Sequence, residues 1–391
     1  MMRTLVNNLP GLLEQGSVHF VQKGNRVASP LKVENGWQHL IRHQRIRLNE
    51  LIMNMFSSKL EKGKPPHPIR ESYLEELKLL WDEDWGAQSE VGKLKVVLVH
   101  KHGDEFRPDI IEDLAWYGVS EFPDYQKAVN QHDHFVDVLK QEGVKVHYLN
   151  PPSPAHGPYS AANPRIWATR DPGVVIKGGA IIGRMALPWR KKDEVFWSRR
   201  VVQLGCPILR TVVGHGNFEG GNVVWLDHEH VCIGQSIRTN AEGIAQVTAI
   251  MQEVGGVKEV KVVPIPGYLE NIQWPAGGYA HLDVVFGMAD VNLGVVYPPG
   301  VPFDFIEYLK YEKKIQLIEA SPEEVRNEGC NIVALAPRKI ILNESNHKVR
   351  KALEKEGVDV IPVDFSEICK FGGAGHCATG PLVRDLGPSM G

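Results

Sequence analysis

The sequence predicts an α/β ring of five small units, preceded by a helical N-terminal extension. From about residue 93 onward, an apolar strand or strand pair, an amphipathic helix, a break and another apolar strand recur five times. The first 92 residues lack this repeat and contain a proline-rich break instead. Five such units fit a closed ring of mixed α/β blades, where residues from different blades converge on a central channel.

The last strand of each unit gives the clearest signal. These closing strands are predicted at 144–149, 206–213, 260–265, 315–318 and 358–363. Four of them follow a predicted helix, at 124–142, 193–204, 240–254 and 346–356, commonly ended by a glycine stop signal. We therefore assign residues 93–391 to one catalytic domain.

The extension, residues 1–92, contains an amphipathic stretch at 37–56, a proline-rich segment at 62–68 and a second helix around 73–81. We expect a helical layer packed on the ring. A lid or a contact between the subunits of a homo-oligomer is the alternative.

Composition limits the class of partner. The chain has 391 residues, 43% hydrophobic and 23% charged, with a net charge of -3. Lys and Arg are scattered, so we expect a small-molecule partner and no nucleic acid. No apolar run approaches the ~18 residues of a membrane span, and the N-terminus lacks the apolar core of a secretory signal, so we expect a cytoplasmic protein without membrane contact.

Cysteine provides the candidate nucleophile. The five cysteines are odd in number and show no C-x-x-C spacing, which argues against a disulfide framework or a zinc knuckle. Cys206, Cys232, Cys330 and Cys369 are interpreted as buried fillers. Cys377 differs because glycines at 372, 373 and 375 let the backbone approach a ligand closely.

Distant residues supply the rest of the chemistry. His281 and Asp283 are two apart in a strand-like context, which predicts that both lie on one face. Glu219, among apolar neighbours, needs a cationic partner to offset its desolvation, and a guanidinium would supply that charge. Asp171 is a second such carboxylate, although an Asp before proline is more often a cap or a turn residue.

Other patterns point away from metals and nucleotides. The sequence Asp227-His228-Glu229-His230 resembles a metal cluster but is interpreted as a charged hairpin turn. His132 and His134 are two apart on a predicted helix and are expected to be solvated. The chain lacks a phosphate loop and a G-x-S-x-G elbow, so we expect no metal and no cofactor.

The chain resembles the guanidine-modifying superfamily, and within it the arginine deiminases most closely. The motifs follow in family order over about 300 residues: the opening strand at 89–100, the helix that begins near 122, Thr169-Arg170-Asp171-Pro172, Phe218-Glu219-Gly220-Gly221, Ile233-Gly234 with Arg238, His281-Leu282-Asp283, and 373–377 with 381–385. The resemblance implies a five-bladed pseudo-symmetric α/β propeller. It also implies Cys377 as nucleophile, His281 as acid/base, Asp171, Glu219 and Asp283 as guanidinium holders, and Arg238 on the substrate carboxylate.

The chain departs from this family at several positions. The helical bundle that deiminases insert after the first blade is missing. Gly372 stands where the family has an arginine, and Arg165 stands where it has an asparagine. We therefore expect Arg165 and Arg190 to help hold the substrate carboxylate. Asn222, where the family often has Asp, is a further substrate-binding candidate.

The expected reaction is hydrolysis of the guanidino group of arginine or a similar molecule through a thiouronium intermediate, which gives a ureido product and ammonia. The acidic neighbours should raise the thiol pKa above its usual value of about 8.5 until a cationic substrate binds. An amidinotransferase, an arginine dihydrolase that gives ornithine, a methylarginine hydrolase and a non-catalytic binding protein remain as alternatives.

Overall fold

A computed structural model describes residues 72–81, 83–103, 114, 117, 121–149, 165–266 and 279–390. The chain divides into two compact units, residues 1–70 and 71–391, and the described residues all belong to the second. The helix predicted around 73–81 is confirmed as α1, Tyr73–Leu80, which begins at a capping box on Ser72. The amphipathic stretch at 37–56 lies outside the described residues, and the domain boundary at 92 stays a prediction.

The strands form five three-stranded sheets, ordered β15-β1-β2, β3-β4-β5, β6-β7-β8, β9-β10-β11 and β12-β13-β14. In every sheet the middle strand pairs antiparallel with one neighbour and parallel with the other. Their bounds are β1 Leu94–Val99, β2 Lys145–Tyr148, β3 Gly173–Ile176, β4 Gly179–Ile182, β5 Ile208–Thr211, β6 Val223–Trp225, β7 His230–Gln235, β8 Glu259–Pro264, β9 Phe286–Asp290, β10 Leu293–Val296, β11 Gln316–Glu319, β12 Val333–Ala336, β13 Lys339–Asn343, β14 Asp359–Val363 and β15 Gly380–Arg384.

Helices connect the middle and closing strands, as parallel pairing requires. They are α2 Tyr125–Gln141, α3 Asp193–Gln203, α4 Ala241–Glu253, α5 Phe303–Glu307, which continues as a π-helical turn over Tyr308–Glu312, and α7 His347–Lys355. The short helix α6, Pro322–Arg326, instead lies between β11 and β12, which belong to different sheets. The four long helices and five closing strands predicted from the sequence are confirmed. Local caps fix several helix starts: the side chains of Asp124 and Asn240 accept backbone N–H bonds at the starts of α2 and α4.

Burial distinguishes the two outer strands of each sheet. The strands that pair antiparallel with the middle strand are wholly or almost wholly buried, as in β3, β9 and β15. The closing strands β2, β5 and β11 are partly exposed. In four of the five sheets the chain therefore enters through a buried inner strand and leaves through a peripheral one. The first sheet instead takes its inner strand, β15, from the C-terminal part of the chain.

The first sheet joins the two ends of the described catalytic segment. β15 pairs antiparallel with β1, and the Gly86 N–H donates to the Leu382 carbonyl at 3.2 Å. The Arg384 N–H donates back to the Gly86 carbonyl at 2.8 Å. This pairing brings the segment around Cys377, which leads into β15, against the segment around Glu90, which leads into β1.

Large apolar side chains fill the spaces between sheets and helices. Trp167, Trp197 and Phe365 are at most 1% exposed, and Cys377 belongs to the same apolar cluster as Trp167 and Phe365. Complete burial of one such side chain stabilises the fold by about 1.5–3 kcal/mol. None of the described helices has the length and apolar character needed to span a membrane.

One of the two histidines on α2 that were expected to be solvated is buried. His134 is exposed as expected, but His132 is only 1% exposed and its ring centroid lies 5.2 Å from that of His102. Burial lowers the pKa of His132, so the imidazole is neutral. The i, i+2 spacing correctly separated the two faces of α2, but it could not show that His132 lies on the core face.

Candidate active site

The candidate residues occupy equivalent places in different sheets. Asp171, Glu219, His281 and Cys377 lie in the segments that lead into the inner strands β3, β6, β9 and β15. Asn331 occupies the same place before β12. Each of the five sheets therefore contributes at least one buried polar or thiol side chain from the same end of its inner strand.

The candidate nucleophile is buried between an acid and an amide. Cys377 is 4% exposed, and its thiol donates to Asp283 Oδ2 at 3.6 Å. The Asn331 amide nitrogen donates to the sulfur at 3.2 Å. Burial first, and then the carboxylates of Asp283 and Asp171, raise the pKa of Cys377 well above its usual value. The resting sulfur is therefore a thiol, as the sequence predicted.

The loop before Cys377 requires glycine. Gly373 has a φ of +109°, and a Cβ at this position would lie 2.8 Å from the Cys377 sulfur. Its N–H donates to Glu328 Oε1 at 2.7 Å. Burial raises the pKa of Glu328 to about 8, with Asp283 acting in the same direction, so this acid is largely protonated at neutral pH.

The candidate acid/base lies between two carboxylates. His281 Nε2 is 2.8 Å from Glu219 Oε2, and Nδ1 is 3.7 Å from Asp171 Oδ1. Burial alone would lower the pKa of His281, but Asp171 and Glu219 outweigh it and raise the pKa above its usual value. The imidazole is therefore held in the protonated form, which can donate a proton to a leaving group.

Asn222 fixes the backbone on both sides of His281. Its Oδ1 accepts from the Leu282 N–H at 3.1 Å, and its Nδ2 lies 3.5 Å from the Ala280 carbonyl. The same nitrogen also donates to Thr239 Oγ1 at 3.0 Å. The Asn222 amide is thus occupied by framework hydrogen bonds and is completely buried.

Glu219 is completely buried, and hydrogen-bond donors offset the cost of burying its negative charge. Oε1 accepts from the Ala186 N–H at 2.9 Å, and Oε2 accepts from Arg238 Nη1 at 3.2 Å. Burial acts to raise its pKa, but Arg238 and His281 hold the pKa well below the usual range. Glu219 therefore stays ionised.

Arg190 forms a buried ion pair with Asp171. Nη1 donates to Asp171 Oδ2, Nε donates to Asp193 Oδ2 at 2.8 Å, and Nη2 lies 3.4 Å from the Ala168 carbonyl. All three guanidinium nitrogens are bonded to protein, and the side chain is 1% exposed. This geometry differs from the expected contact with a substrate carboxylate. Arg190 instead holds the carboxylate of Asp171 in position.

A second imidazole, His376, was missed in the sequence. Nδ1 is 2.7 Å from Asp283 Oδ2, and Nε2 is 3.1 Å from Glu90 Oε2. Burial and Arg170 lower the pKa of His376, but Glu90 and Asp283 outweigh them and raise it. The available signal was its position directly before Cys377.

Arg165 lies where residue 372 would place a side chain. A Cβ on Gly372 would be 2.8 Å from Arg165 Nη2, and the φ of Gly372 is +74°. Burial, together with the nearby Arg238 and Arg190, lowers the pKa of Arg165 to about 10. The two departures from the deiminase pattern are thus linked in space, because the guanidinium of Arg165 fills the space next to Gly372.

Two buried carboxylate oxygens stand out. Within the described residues, Asp171 Oδ1 and Asp283 Oδ1 have no hydrogen-bond partner. Both carboxylates raise the pKa of Cys377 and of His281, so the sulfur and the imidazole share these two acids as neighbours. Buried carboxylate oxygens are normally hydrogen-bonded, so this pair indicates a place for a ligand with N–H donors and a positive charge.

The same region offers ligand atoms for a metal. One atom each from Asp171, Glu219 and His281 lies within 4.8 Å of the others. Arg190 and Arg238 already pair with these two carboxylates, which reduces the negative charge available to a cation there.

Several sequence predictions can be judged from the structure. The strand predicted for His281 and Asp283 is wrong, because His281 precedes a 3₁₀ turn over Leu282–Val284. The His281 side chain contacts Glu219, whereas the Asp283 side chain contacts His376 and Cys377. The turn at Asp227 is confirmed, since Oδ1 accepts from the Glu229 and His230 N–H groups. Cys206, Cys232 and Cys330 are buried as expected, whereas Cys369 is half-buried, and all five cysteines are free.

Comparisons with known proteins agree with this arrangement. An arginine deiminase of Bacillus cytotoxicus is 23% identical and covers 76% of this chain and 97% of its own. A 2-nitroimidazole nitrohydrolase of Mycobacterium sp. is 26% identical and covers 66% of this chain and 68% of its own. Fold, site and relatives together define a member of the guanidino-group-modifying superfamily.

The family can be stated more narrowly. The chain belongs to the family described as N,N dimethylarginine dimethylhydrolase, eukaryotic, whose sequence model matches residues 118–384. Among solved structures, a mutant DDAH from Pseudomonas aeruginosa in complex with citrulline superposes with a TM-score of 0.59 at 22% identity, covering 74% of this chain and 100% of that one. This superposition shows the shared fold.

Proposed function

We propose that this protein is a cysteine-dependent hydrolase of the guanidino group of arginine or an arginine-like small molecule. The observation that carries the proposal is that two buried oxygens, Asp171 Oδ1 and Asp283 Oδ1, accept no hydrogen bond from the described residues and lie near a buried thiol. A planar guanidinium supplies the charge and the N–H donors that these oxygens lack. The match to a family of dimethylarginine hydrolases supports the same chemistry.

The five sheets support a propeller as the architecture of this site. Each sheet contributes at least one buried polar or thiol side chain from the same end of its inner strand, and β15 joins β1 to link the last unit to the first. A closed ring of five blades explains both facts, because equivalent ends of the inner strands then face one central hollow. In this arrangement the substrate binds at the axis.

Substrate binding activates the nucleophile. The guanidinium lies against Asp171 Oδ1 and Asp283 Oδ1 and brings a positive charge near the Cys377 sulfur. A cation at about 4 Å with an effective dielectric near 20 is worth roughly 4 kcal/mol, which corresponds to up to about three pKa units. The thiol then releases its proton to solvent, so the thiolate forms mainly in the complex.

The reaction proceeds in two halves. The Cys377 thiolate attacks the central guanidinium carbon, a C–S bond forms, and His281 donates a proton to the departing nitrogen as the C–N bond breaks. The neutral His281 then takes a proton from water. The resulting hydroxide attacks the thiouronium carbon, and the C–S bond breaks. The sulfur takes up the proton of the added hydroxyl, which restores the Cys377 thiol, and a neutral ureido product leaves.

The carboxylate end of an amino-acid substrate would meet Arg165 and Arg238. Arg238 is 5% exposed, and its Nε is buried without a hydrogen-bond partner among the described residues. Burial, together with Arg190, lowers the pKa of Arg238, and Glu219 only partly compensates. A substrate carboxylate near Arg238 and Arg165 would offset the repulsion among these guanidinium groups.

A methylarginine is the second candidate substrate, because the family that the chain matches is described as a dimethylarginine hydrolase. In that case the leaving group is a methylated amine rather than ammonia. The first half-reaction also serves an amidinotransferase, in which an amine replaces water, so the acceptor must be tested directly.

A substrate panel tests the proposal. Arginine, methylarginines, agmatine and guanidinoacetate are offered with and without glycine or lysine, while ammonia, methylamines, ureido products and ornithine are measured. We expect a ureido product together with ammonia or a methylamine, independent of added amine. Turnover that requires the amine would instead establish a transferase, and binding by calorimetry without turnover would establish a binding protein.

The nucleophile is tested with a matched pair of cysteines. We expect Cys377→Ser to reduce kcat by about 10⁴-fold or more. Cys369→Ser, at a half-buried cysteine outside the site, should stay within about threefold of wild type. If Cys377→Ser retains turnover, the covalent mechanism is wrong.

A further inference from the structure

Asn331 is a chemically unexplained member of the site. It leads into β12 and occupies the place that Asp171, Glu219, His281 and Cys377 occupy in the other four sheets. It is 2% exposed. No motif in the sequence singles it out, although it directly follows Cys330 and precedes an apolar strand.

Its hydrogen bonds fix the direction of the amide. Oδ1 accepts from the Ala374 N–H at 3.0 Å and from the Cys377 N–H at 3.2 Å. Because backbone N–H groups can only donate, the oxygen must face the loop and the NH₂ group must face the sulfur. Nδ2 lies 3.2 Å from the Cys377 sulfur and 3.4 Å from the Asp283 carbonyl.

The environment of the sulfur makes this donor important. Burial and the carboxyl groups of Asp283, Asp171 and Glu328 all disfavour a thiolate. Across the part of the chain that the structure describes, the Asn331 amide is the only hydrogen-bond donor that reaches the sulfur. A hydrogen bond to a charged group contributes about 1.5–3 kcal/mol, so its loss should be measurable.

We propose that Asn331 is a catalytic residue, whose amide nitrogen stabilises the Cys377 thiolate and aims it at the guanidinium carbon while its oxygen fixes the loop. This proposal rests on Cys377 being the nucleophile. The NH₂ group donates to the neutral thiol in the resting site and donates more strongly to the anion that forms with substrate. The donation persists until the C–S bond forms, when the sulfur loses its negative charge.

The chain contains a matched control. Asn343 is also buried, and its Nδ2 lies 3.5 Å from the sulfur of Cys369 and 2.9 Å from the Asn327 carbonyl. Its Oδ1 likewise accepts a backbone N–H, from Phe365 at 3.3 Å. Replacing Asn343 therefore removes a similar set of hydrogen bonds around a cysteine that the mechanism does not use.

The experiment compares Asn331→Ala and Asn331→Asp with Asn343→Ala and Asn343→Asp. For each variant we measure kcat and KM, and the rate at which iodoacetamide alkylates Cys377 from pH 6 to 11, with the labelled cysteine identified by peptide mass spectrometry. We expect Asn331→Ala to lower kcat about 10- to 100-fold with KM within about threefold. The pH of half-maximal alkylation should rise by about one unit or more, and further in Asn331→Asp, which places a carboxylate beside the sulfur.

The Asn343 variants should leave the alkylation profile of Cys377 unchanged, even if they lower the melting temperature. An unchanged alkylation profile in both Asn331 variants would overturn the proposal, and so would an equal shift in the Asn343 variants. The alkylation measurement needs no turnover. Loss of the proposed function, shown by an active Cys377→Ser protein, is thus distinguishable from failure of the Asn331 proposal, shown by the sulfur titration.

Discussion

The site has two sides, which differ in the groups that pair with their carboxylates. The imidazole side comprises His281, Glu219 and Asp171, and each of its carboxylates pairs with a buried arginine, Arg238 or Arg190. On the thiol side, which comprises Cys377, Asp283, Glu328 and Asn331, the acids bond to the thiol, to His376 and to a backbone N–H.

This difference sets the protonation of each side. On the imidazole side, Arg238 and His281 keep Glu219 ionised by lowering its pKa, and the acids in turn raise the pKa of His281. On the thiol side, burial raises the pKa of Glu328 to about 8 and that of Cys377 well above its usual value. His281 and Glu219 are therefore preset in their charged forms, whereas the Cys377 thiol stays protonated until a cation binds.

Apart from loss of the nucleophile itself, the largest expected effect follows from removing the negative charge beside His281. We expect Glu219→Gln to lower kcat about 100- to 1000-fold, because the proton donor loses its partner and Arg238 is left without a counter-charge. Glu219 raises the pKa of His281, so its removal lowers that pKa. Because the proposed mechanism uses protonated His281, the alkaline limb of kcat/KM should move to lower pH by about one unit or more.

The measurement is the pH profile of kcat/KM from pH 5 to 10. Glu259→Gln is the control, because Glu259 also accepts from Tyr308 and Lys313 but lies outside the site. A Glu219→Gln profile whose alkaline limb stays in place would show that the imidazole side is not preset by Glu219.

A smaller, selective effect is expected at the carboxylate end. Arg165→Ala should raise KM for arginine about 10- to 100-fold and change kcat little, because the lost contact is made equally in the ground and transition states. For agmatine, which has no carboxylate, KM should stay within about threefold. Arg200→Ala is the control, because Arg200 is a half-buried arginine outside the site that donates to the Tyr148 carbonyl. Equal losses for both substrates would contradict this role of Arg165.

The sequence predicted the parts of this site that depend on local pattern. Periodicity located the four long helices and the closing strands, and the loop glycines singled out Cys377. Both rest on interactions between residues close in the chain. The same logic failed at His281, where a period of two suggested a strand but the backbone forms a 3₁₀ turn at Leu282–Val284.

The residues that the sequence did not reveal act across the fold. His376 contacts Glu90, which is 286 positions away, and Asn331 reaches Cys377 across 46 positions. From the sequence, Arg190 was expected to bind the substrate carboxylate. In the structure its nitrogens are bonded to Asp171, Asp193 and the Ala168 carbonyl instead. Such pairings depend on which sheet ends meet, and no local pattern encodes that.

The smallest predicted effect concerns the stability of the thiol side rather than its chemistry. Although burial alone would raise it, His376, Arg170 and Arg384 lower the pKa of Glu90 to about 2. We expect Glu90→Gln to lower the free energy of unfolding by about 2 to 3 kcal/mol near pH 6, because a shift of about two units corresponds to that amount. Urea unfolding of both proteins measures the difference.

The pH dependence of that difference distinguishes an ion pair from lost packing. A carboxylate with a lowered pKa stabilises the fold above its unfolded pKa of about 4.3, and this contribution disappears as the pH falls toward 2. His376, whose pKa is raised, contributes fully below about 6.5 and loses its contribution as the pH rises through its folded value. The difference between wild type and Glu90→Gln should therefore be largest from about pH 4.3 to 6.5 and should narrow as the pH rises through the folded pKa of His376. Glu354→Gln, in an exposed pair with Arg350, should change stability by less than about 0.5 kcal/mol at every pH. A Glu90→Gln difference that does not shrink as the pH falls from 6 toward 2 would show that Glu90 stabilises the thiol side by packing and not by its charge.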